Sequence, residues 1–73
     1  MDNHDYCRVL LRDARYEAKK AGVKIPPLSS VWINPDQYAV FLGDDWYREM
    51  DACCSFYGRA EAITDYVTET QDV

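Results

Sequence analysis

The stretch that most limits what this chain can fold into is residues 37–52, where two runs of strand-forming residues flank a Gly-Asp-Asp cluster. Such a cluster favours a tight turn, because Gly accepts positive φ values and Asp tolerates them. After the turn, Trp46 and Met50 would point to one face of a strand while Tyr47 points to the other, which is the period-2 pattern of a half-buried strand. The stretch therefore predicts a β-hairpin on which the rest of the chain can pack.

A helix over the second half of this stretch is the alternative. Four side chains there also fall at the i, i+4, i+7 and i+11 spacing of a single helix face, namely Trp46, Met50, Cys53 and Tyr57. Asp44 or Asp45 could cap such a helix. We favour the hairpin, because a Trp-Tyr pair directly follows the turn cluster and Ser55 offers a later helix cap of equal quality.

The first part of the chain, residues 3–21, has the pattern of an amphipathic helix. Asp2 or Asn3 can cap its start, and Gly22 stands where such a helix would end. Its apolar stripe consists of Cys7, Leu10, Leu11, Ala14, Ala18 and Ala21. The small alanines in the second half of this stripe would allow a close approach to a sheet.

A basic ridge flanks that stripe and consists of Arg8, Arg12, Arg15 and Lys19, at i, i+4, i+7 and i+11. It is either a solvated face or a docking ridge for an acidic surface or a phosphate. Residues 1–25 carry a net charge of +2, whereas residues 26–73 carry −7, which gives −5 for the whole chain. A net negative charge repels phosphate backbones, so we expect no direct specific nucleic-acid binding. A basic protein partner is easier to accommodate.

Residues 22–29 are predicted to form a linker, because Pro26 pushes Ile25 out of helical geometry. Strand composition then returns in three runs, residues 30–33, 38–42 and 46–52. Pro35 occupies the second position of the turn between the first two runs, where its fixed φ is favourable. Residues 30–52 therefore predict a three-stranded antiparallel meander.

A second helix is predicted over residues 55–69, with residues 70–73 as a frayed tail. Its inward stripe consists of Phe56, Ala60, Ile63 and Val67, with Tyr66 beside it. Gly58 weakens this helix by up to about 1 kcal/mol relative to Ala. Its outer side carries an acidic ridge made of Glu61, Asp65 and Glu69. The whole pattern predicts an α+β fold, a small two-layer domain in which the first and the last helix pack on the meander.

Length and composition limit the class of protein further. The 73 residues are enough for one domain, residues 1–73, with a thin core. No apolar run approaches the roughly 20 residues that cross a bilayer. The N-terminus also lacks the basic region followed by an apolar run that is typical of a signal peptide. The three cysteines are odd in number and two are adjacent, which indicates reduced thiols that act as small apolar filler. We expect a cytosolic monomer that does not enter a membrane.

Residues suited to catalysis or to metal binding are scarce. His4 is the single histidine, and a catalytic base needs an orienting partner and a cleft. One His and no C-x₂-C spacing cannot supply a standard zinc ligand set. The three glycines do not form a phosphate-binding loop. We therefore expect no enzyme, no cofactor and no metal site.

Aromatic side chains are the remaining functional signal, because a thin domain cannot bury both Trp and all six Tyr. Some of four rings on the predicted sheet should face solvent, namely Trp32, Tyr38, Trp46 and Tyr47. Trp, Tyr and Arg dominate the energetics of protein interfaces. We predict a partner-binding surface made of these rings, with help from Arg8, Arg12 and Arg15. Scattered exposed rings on a small protein explain the same pattern equally well.

Two segments carry a resemblance to known proteins, residues 38–46 (YAVFLGDDW) and residues 50–63 (MDACCSFYGRAEAI). They are similar to hairpin-then-helix segments in many small phage proteins. Taken at its full length, the chain resembles the small transcription regulators of Xanthomonas siphophages that bind host RNA polymerase. The resemblance implies a phage-encoded protein in the host bacterial cytoplasm that contacts the two large catalytic subunits and displaces the σ factor. It also implies inhibition of initiation at host promoters, together with antitermination for the phage.

Two other functions stay open. A phage counter-defence protein of the anti-CRISPR kind could use an acidic surface to mimic the charge of nucleic acid. A DNA- or RNA-binding module could work through the basic ridge, but such modules are usually net basic, and this chain is acidic.

Overall fold

The computed structural model describes residues 3–52 and 54–71. The elements are α1 (Asn3–Lys20), β1 (Leu28–Asn34), β2 (Gln37–Leu42), β3 (Trp46–Asp51) and α2 (Ser55–Gln71). The predicted α+β order of helix, three-stranded antiparallel meander and C-terminal helix is confirmed. The alternative, a helix that starts at the Gly-Asp-Asp turn, is wrong because β3 occupies that segment.

Most element boundaries lie within two residues of the predicted ones. α1 ends one residue early, and β1 begins at Leu28, inside the predicted linker. α2 continues through Gln71, into the segment that was predicted to fray. Residues 72 and 73 lie outside the described residues, as do Cys53 and Asp2, one of the two predicted caps.

α1 ends at a glycine, as predicted. Gly22 has a φ of 76°, which side chains rarely allow. Its N–H donates to the carbonyl of Lys19 at 3.0 Å, and the N–H of Val23 donates to the carbonyl of Ala18 at 3.0 Å. This pair of bonds is the Schellman motif, and it satisfies carbonyl groups that the helix end would otherwise leave without donors.

The turn between β1 and β2 follows the predicted Asn-Pro-Asp pattern. The N–H of Asp36 donates to the side-chain oxygen of Asn34 at 2.9 Å, which mimics a backbone turn. The pairing register shifts between Trp32 and Asn34, so Ile33 is an extra residue in β1. Such a bulge twists an edge strand and makes its outer backbone less suitable for pairing with another strand.

The turn between β2 and β3 is tied to the linker that follows α1. Gly43 has a φ of 65°, and its N–H donates to the carbonyl of Pro27 at 3.0 Å. A Cβ atom at Gly43 would lie 3.1 Å from the Cβ of Pro26. Backbone conformation and space therefore both favour glycine here, and the proline linker lies against this end of the sheet.

β2 is the central strand and supplies most of the core. Its alternate side chains Tyr38, Val40 and Leu42 are buried, and they form one cluster with Trp46 and Ala62. These residues share the face of the sheet that α2 covers. The intervening β2 side chains point to the opposite face, as the period of a strand requires.

α2 buries more of its surface than its predicted stripe indicated. Ala60 and Ile63 are buried as expected, but Gly58 and Ala62 are buried as well. Gly58 lies against the Tyr38 ring and Ala62 belongs to the sheet cluster, so small residues bring α2 close to the strands. α1 packs mainly against α2. This corrects the expectation that both helices pack directly on the meander.

Candidate protein-binding face

The face of the sheet opposite α2 presents a patch of exposed apolar side chains. Val31, Phe41 and Tyr47 are exposed by 54, 38 and 42%. Phe41 and Tyr47 are paired across β2 and β3, and their ring centroids lie 4.8 Å apart. Ala39 is paired with Val31 and is buried at the centre of this face. We call this surface the outer face, and its contiguous apolar area on a rigid sheet is typical of an interaction site.

The rim of the outer face is acidic. Glu49 is paired with Ala39 and Asp51 with Gln37, which places both carboxylates on this face of β3. Arg48 is the single basic residue in the three strands, and it points to the opposite face. The Tyr47 hydroxyl donates a hydrogen bond to Glu49. That bond raises the pKa of Tyr47 above its usual value, with smaller contributions from desolvation and from the charge of Glu49. The ring therefore stays neutral at physiological pH.

Two of the four aromatic residues predicted at the surface lie in the core. Tyr38 is 2% exposed, and its hydroxyl donates to Ser30 Oγ at 2.5 Å. Trp46 is 9% exposed, and its ring packs edge-on against Tyr66 at 6.1 Å. Neither ring is available as a surface anchor, so the prediction that both contribute to a binding surface is corrected. They are buried because their positions in β2 and β3 point toward α2.

The other two predicted rings are exposed, but the structure does not bring them together. The Trp32 ring packs at a tilt against Tyr38, with a centroid distance of 4.7 Å, so it lies at the β1 edge on the side that α2 covers. Tyr47 belongs to the outer face. Arg59, from α2, donates to the Tyr38 hydroxyl at 3.2 Å near Trp32. Of the predicted sheet aromatics, only Tyr47 lies on the outer face.

The basic ridge is exposed on α1, on a different element from the outer face. Arg8 lies over the ring of Phe56 at 5.9 Å, a cation–π contact that involves α2. Arg12 lies 3.6 Å from Asp13, and both side chains are largely exposed, so this pair contributes little to stability. Arg15 is also exposed. The ridge and the outer face are therefore separate surfaces.

Phe41 and Val31 were absent from the predicted site. A signal for Phe41 was present, because it stands one residue before the core residue Leu42, as Tyr47 stands one residue after Trp46. Residues placed symmetrically about a hairpin turn are cross-strand partners, so Phe41 must meet Tyr47. Val31 gave no such signal, because its register depends on the bulge at Ile33.

A polar cluster joins β3 to the end of α2. The Trp46 indole N–H donates to Glu69 Oε2 at 2.7 Å, and the Arg48 guanidinium pairs with the other oxygen of Glu69. Arg48 also lies over the Trp46 ring, 4.7 Å from its centroid. The hydrogen bond from Trp46 lowers the pKa of Glu69 below its usual value. The bond from Arg48 and the Arg48 charge act in the same direction, and desolvation opposes them.

This cluster predicts a pH dependence of stability. A carboxylate with a lowered pKa in the folded state stabilises the protein above the usual carboxyl range, and that contribution is lost as the pH falls through the folded pKa. We expect Glu69→Gln to unfold at a lower urea concentration than wild type at about pH 6, with the difference shrinking toward about pH 3. Urea titrations followed by circular dichroism measure the midpoint of unfolding of each variant at each pH. Glu61→Gln, on the same helix, is the control, and a constant difference between Glu69→Gln and wild type would contradict the prediction.

The described histidine and cysteine side chains, which are the residue types most often used in catalysis, make packing contacts in this structure. The His4 ring packs edge-on against Phe56 at 4.9 Å. Cys7 is buried and Cys54 half-buried, in agreement with a role as core filler. Among residues 3–52 and 54–71, no group of three or more His, Cys, Asp and Glu side chains is placed to hold a metal ion. In the same residues, neither helix combines the length and the apolar character needed to cross a membrane.

Comparisons of this chain with protein-family models, with curated proteins and with solved structures gave no match. The candidate site therefore rests on the geometry of the outer face.

Proposed function

We propose that this chain is a phage-encoded, non-catalytic protein that binds host bacterial RNA polymerase through the outer face of its sheet. In this proposal it contacts the large subunits as a monomer in the host cytoplasm, displaces the σ factor, inhibits initiation and acts as an antiterminator. The exposed apolar patch of Val31, Phe41 and Tyr47 is the observation that supports protein binding. The choice of polymerase as partner rests on the resemblance of the sequence to siphophage regulators.

The chemistry of the outer face favours a protein partner over nucleic acid. A surface that binds phosphate backbones needs lysine or arginine side chains, and the strands place none on this face. Glu49 and Asp51 at the rim would repel phosphates. The same carboxylates suit a partner with an apolar centre and basic residues around it, because complementary rims speed association and select the correct partner.

The binding test compares two exposed rings with a matched one elsewhere. We expect Phe41→Ala and Tyr47→Ala each to weaken binding to purified bacterial RNA polymerase by about tenfold or more, because interface energy concentrates in a few aromatic anchors. Tyr16→Ala is the control, since Tyr16 is 63% exposed on α1. Fluorescence anisotropy with labelled protein measures the affinity, and urea titration checks each fold. An equal loss in the Tyr16 variant would show that the outer face is not the binding site.

The basic ridge is expected to contribute less, and in a different way. Arg12→Ala and Arg15→Ala should weaken polymerase binding by less than about tenfold, because exposed charges outside the contact area act mainly on the association rate. Their effect should shrink as ionic strength rises. If either variant loses as much affinity as Phe41→Ala at high salt, the ridge is the main contact and the assignment of the outer face is wrong.

In vitro transcription from a σ-dependent promoter tests the proposed activity. Saturating protein is expected to lower transcript yield and to release the σ factor from the holoenzyme. If the protein neither binds polymerase nor changes transcript yield, this function is wrong. The counter-defence function would then be the next to test, with a nucleic-acid-handling host complex as the target.

A further inference from the structure

A second surface lies on the helical side of the molecule, between α1 and α2. The two helices run in the same direction, because His4 near the start of α1 meets Phe56 near the start of α2. Both helices then run toward the sheet end where Trp46 meets Tyr66 and the linker meets Gly43. Between them lies an open groove of about 580 Å³, lined from Tyr6 to Glu17 on α1 and from Tyr57 to Thr68 on α2.

The floor of this groove is apolar and its sides are acidic. The apolar lining includes Leu10, Ala14, Ala60 and Val67. Four carboxylates line the sides, namely Asp13 and Glu17 from α1 and Glu61 and Asp65 from α2. Tyr6 and Tyr57 line one end, and both rings are exposed. None of the described residues that line the groove is a lysine or an arginine, so its charge is of one sign.

The acidic ridge predicted on α2 is divided between two surfaces. Glu69 belongs to the cluster with Trp46 and Arg48, on the side of the sheet. Glu61 and Asp65 line the groove on the side of α1. Asp13 contacts Arg12 at 3.6 Å, but this exposed pair leaves the carboxylate open to solvent.

We infer that this groove docks an amphipathic helix that carries lysine or arginine residues and belongs to a protein partner. The lining on each helix spans eleven residue steps, which is about 16 Å or three helical turns. An apolar stripe on a docked helix would cover Leu10 and Val67, and small residues such as Ala14 and Ala60 permit close approach. Basic side chains that flank this stripe would reach the carboxylates on both sides. This is the helix-in-groove mode of recognition.

A second copy of this chain is a poorer occupant than such a partner. Its own helix α1 is basic, but the apolar stripe of α1 packs against α2, with Cys7 and Ala18 buried, so α1 cannot present an amphipathic face to the groove of another copy. Each copy also carries a net charge of −5, which opposes self-association. The inference does not require polymerase to be the partner, because the groove and the outer face are formed by different elements.

A synthetic helix of about 16 residues, built from Leu and Lys with an i, i+3, i+4 apolar stripe, is the probe. A peptide of the same composition with the stripe scrambled has the same charge without the amphipathic face. We expect the amphipathic peptide to bind about tenfold more tightly than the scrambled one and to shift amide NMR signals of the groove residues. Equal affinity for both peptides, or shifts centred on the outer face, would overturn the inference.

Matched charge variants separate the groove from the general acidity of the chain. Glu61→Gln combined with Asp65→Asn should weaken the binding of the amphipathic peptide by about tenfold at low salt. Glu49→Gln combined with Asp51→Asn removes the same charge from the outer face and should change the affinity little. An equal loss in both pairs would overturn the inference, as would concentration-dependent self-association through the groove without peptide.

Phe41→Ala should bind the peptide normally, so failure of the polymerase proposal is distinguishable from failure of this one.

Discussion

Trp46→Ala is expected to lower the free energy of unfolding by about 3–5 kcal/mol, the range for deleting a buried aromatic ring. The ring is 9% exposed, packs in the core with Leu42 and Tyr66, and donates its N–H to Glu69 at 2.7 Å. A domain this small has a total stability near the lower end of the usual range of about 5–15 kcal/mol. The variant should therefore keep only about 0–2 kcal/mol and be marginally stable at 25 °C. Urea and thermal unfolding followed by circular dichroism measure the loss.

Two further variants identify the cause of this loss. Trp46→Phe keeps an aromatic ring without the N–H donor, so its cost should lie between those of wild type and Trp46→Ala. Tyr47→Ala removes the adjacent ring, which lies on the outer face, and should cost less than about 1 kcal/mol. If Trp46→Ala keeps the wild-type midpoint but loses partner binding, the ring is a surface anchor and its assignment to the core is wrong.

The local pattern of the chain was sufficient to predict its elements. Gly22 ends α1 because only a residue that tolerates positive φ closes a Schellman motif without strain. The turn at residues 43–45 and the alternation after it distinguish β3 from the rival helix, which shares its apolar positions. α2 starts at Ser55, where it was predicted to start, although Ser55 is the first helical residue and the carbonyl of Cys54 accepts the bond from the Gly58 N–H. Each of these features depends on residues close together in sequence.

The faces of the elements could not be predicted in the same way. Whether a ring on a strand is core or surface depends on which side α2 covers, and that is decided by contacts distant in sequence. Trp46 meets Glu69, 23 residues later, and Arg59 reaches Tyr38 across 21 residues. A single inward stripe was predicted for α2, but this helix buries residues toward both the sheet and α1.

The two candidate surfaces could not be predicted from the sequence either, because both depend on contacts between distant residues. The outer face needed the register of three strands, and the bulge at Ile33 is not visible in the residue pattern. The groove needed two helices whose residues lie about fifty positions apart in the chain to run side by side. The sequence showed the acidic ridge on α2. Only the packing shows that Glu69 is separated from the rest of this ridge, because it accepts a hydrogen bond from Trp46.

Gly58→Ala is expected to lower the free energy of unfolding by about 1–3 kcal/mol, the usual cost of overpacking a core. Helix propensity alone predicts the opposite sign, a gain of up to about 1 kcal/mol for Ala over Gly. Steric overlap should dominate, because a Cβ at Gly58 would lie 2.5 Å from Tyr38 Cδ1. The Tyr38 ring is held by the Trp32 ring, which packs against it at a tilt, and by the hydroxyl bond to Ser30. Urea unfolding of the variant measures the change.

The control is Thr64→Ala on the exposed side of the same helix, where the propensity gain should appear without steric overlap. Tyr38→Phe removes the hydroxyl that tethers the ring to Ser30 and Arg59. In that background the cost of Gly58→Ala should fall, because the untethered ring can shift away from the new methyl group. A double-mutant cycle over the two positions measures this coupling. If the costs are additive, or if Gly58→Ala stabilises wild type, close packing of α2 on Tyr38 is not the reason that glycine occupies this position.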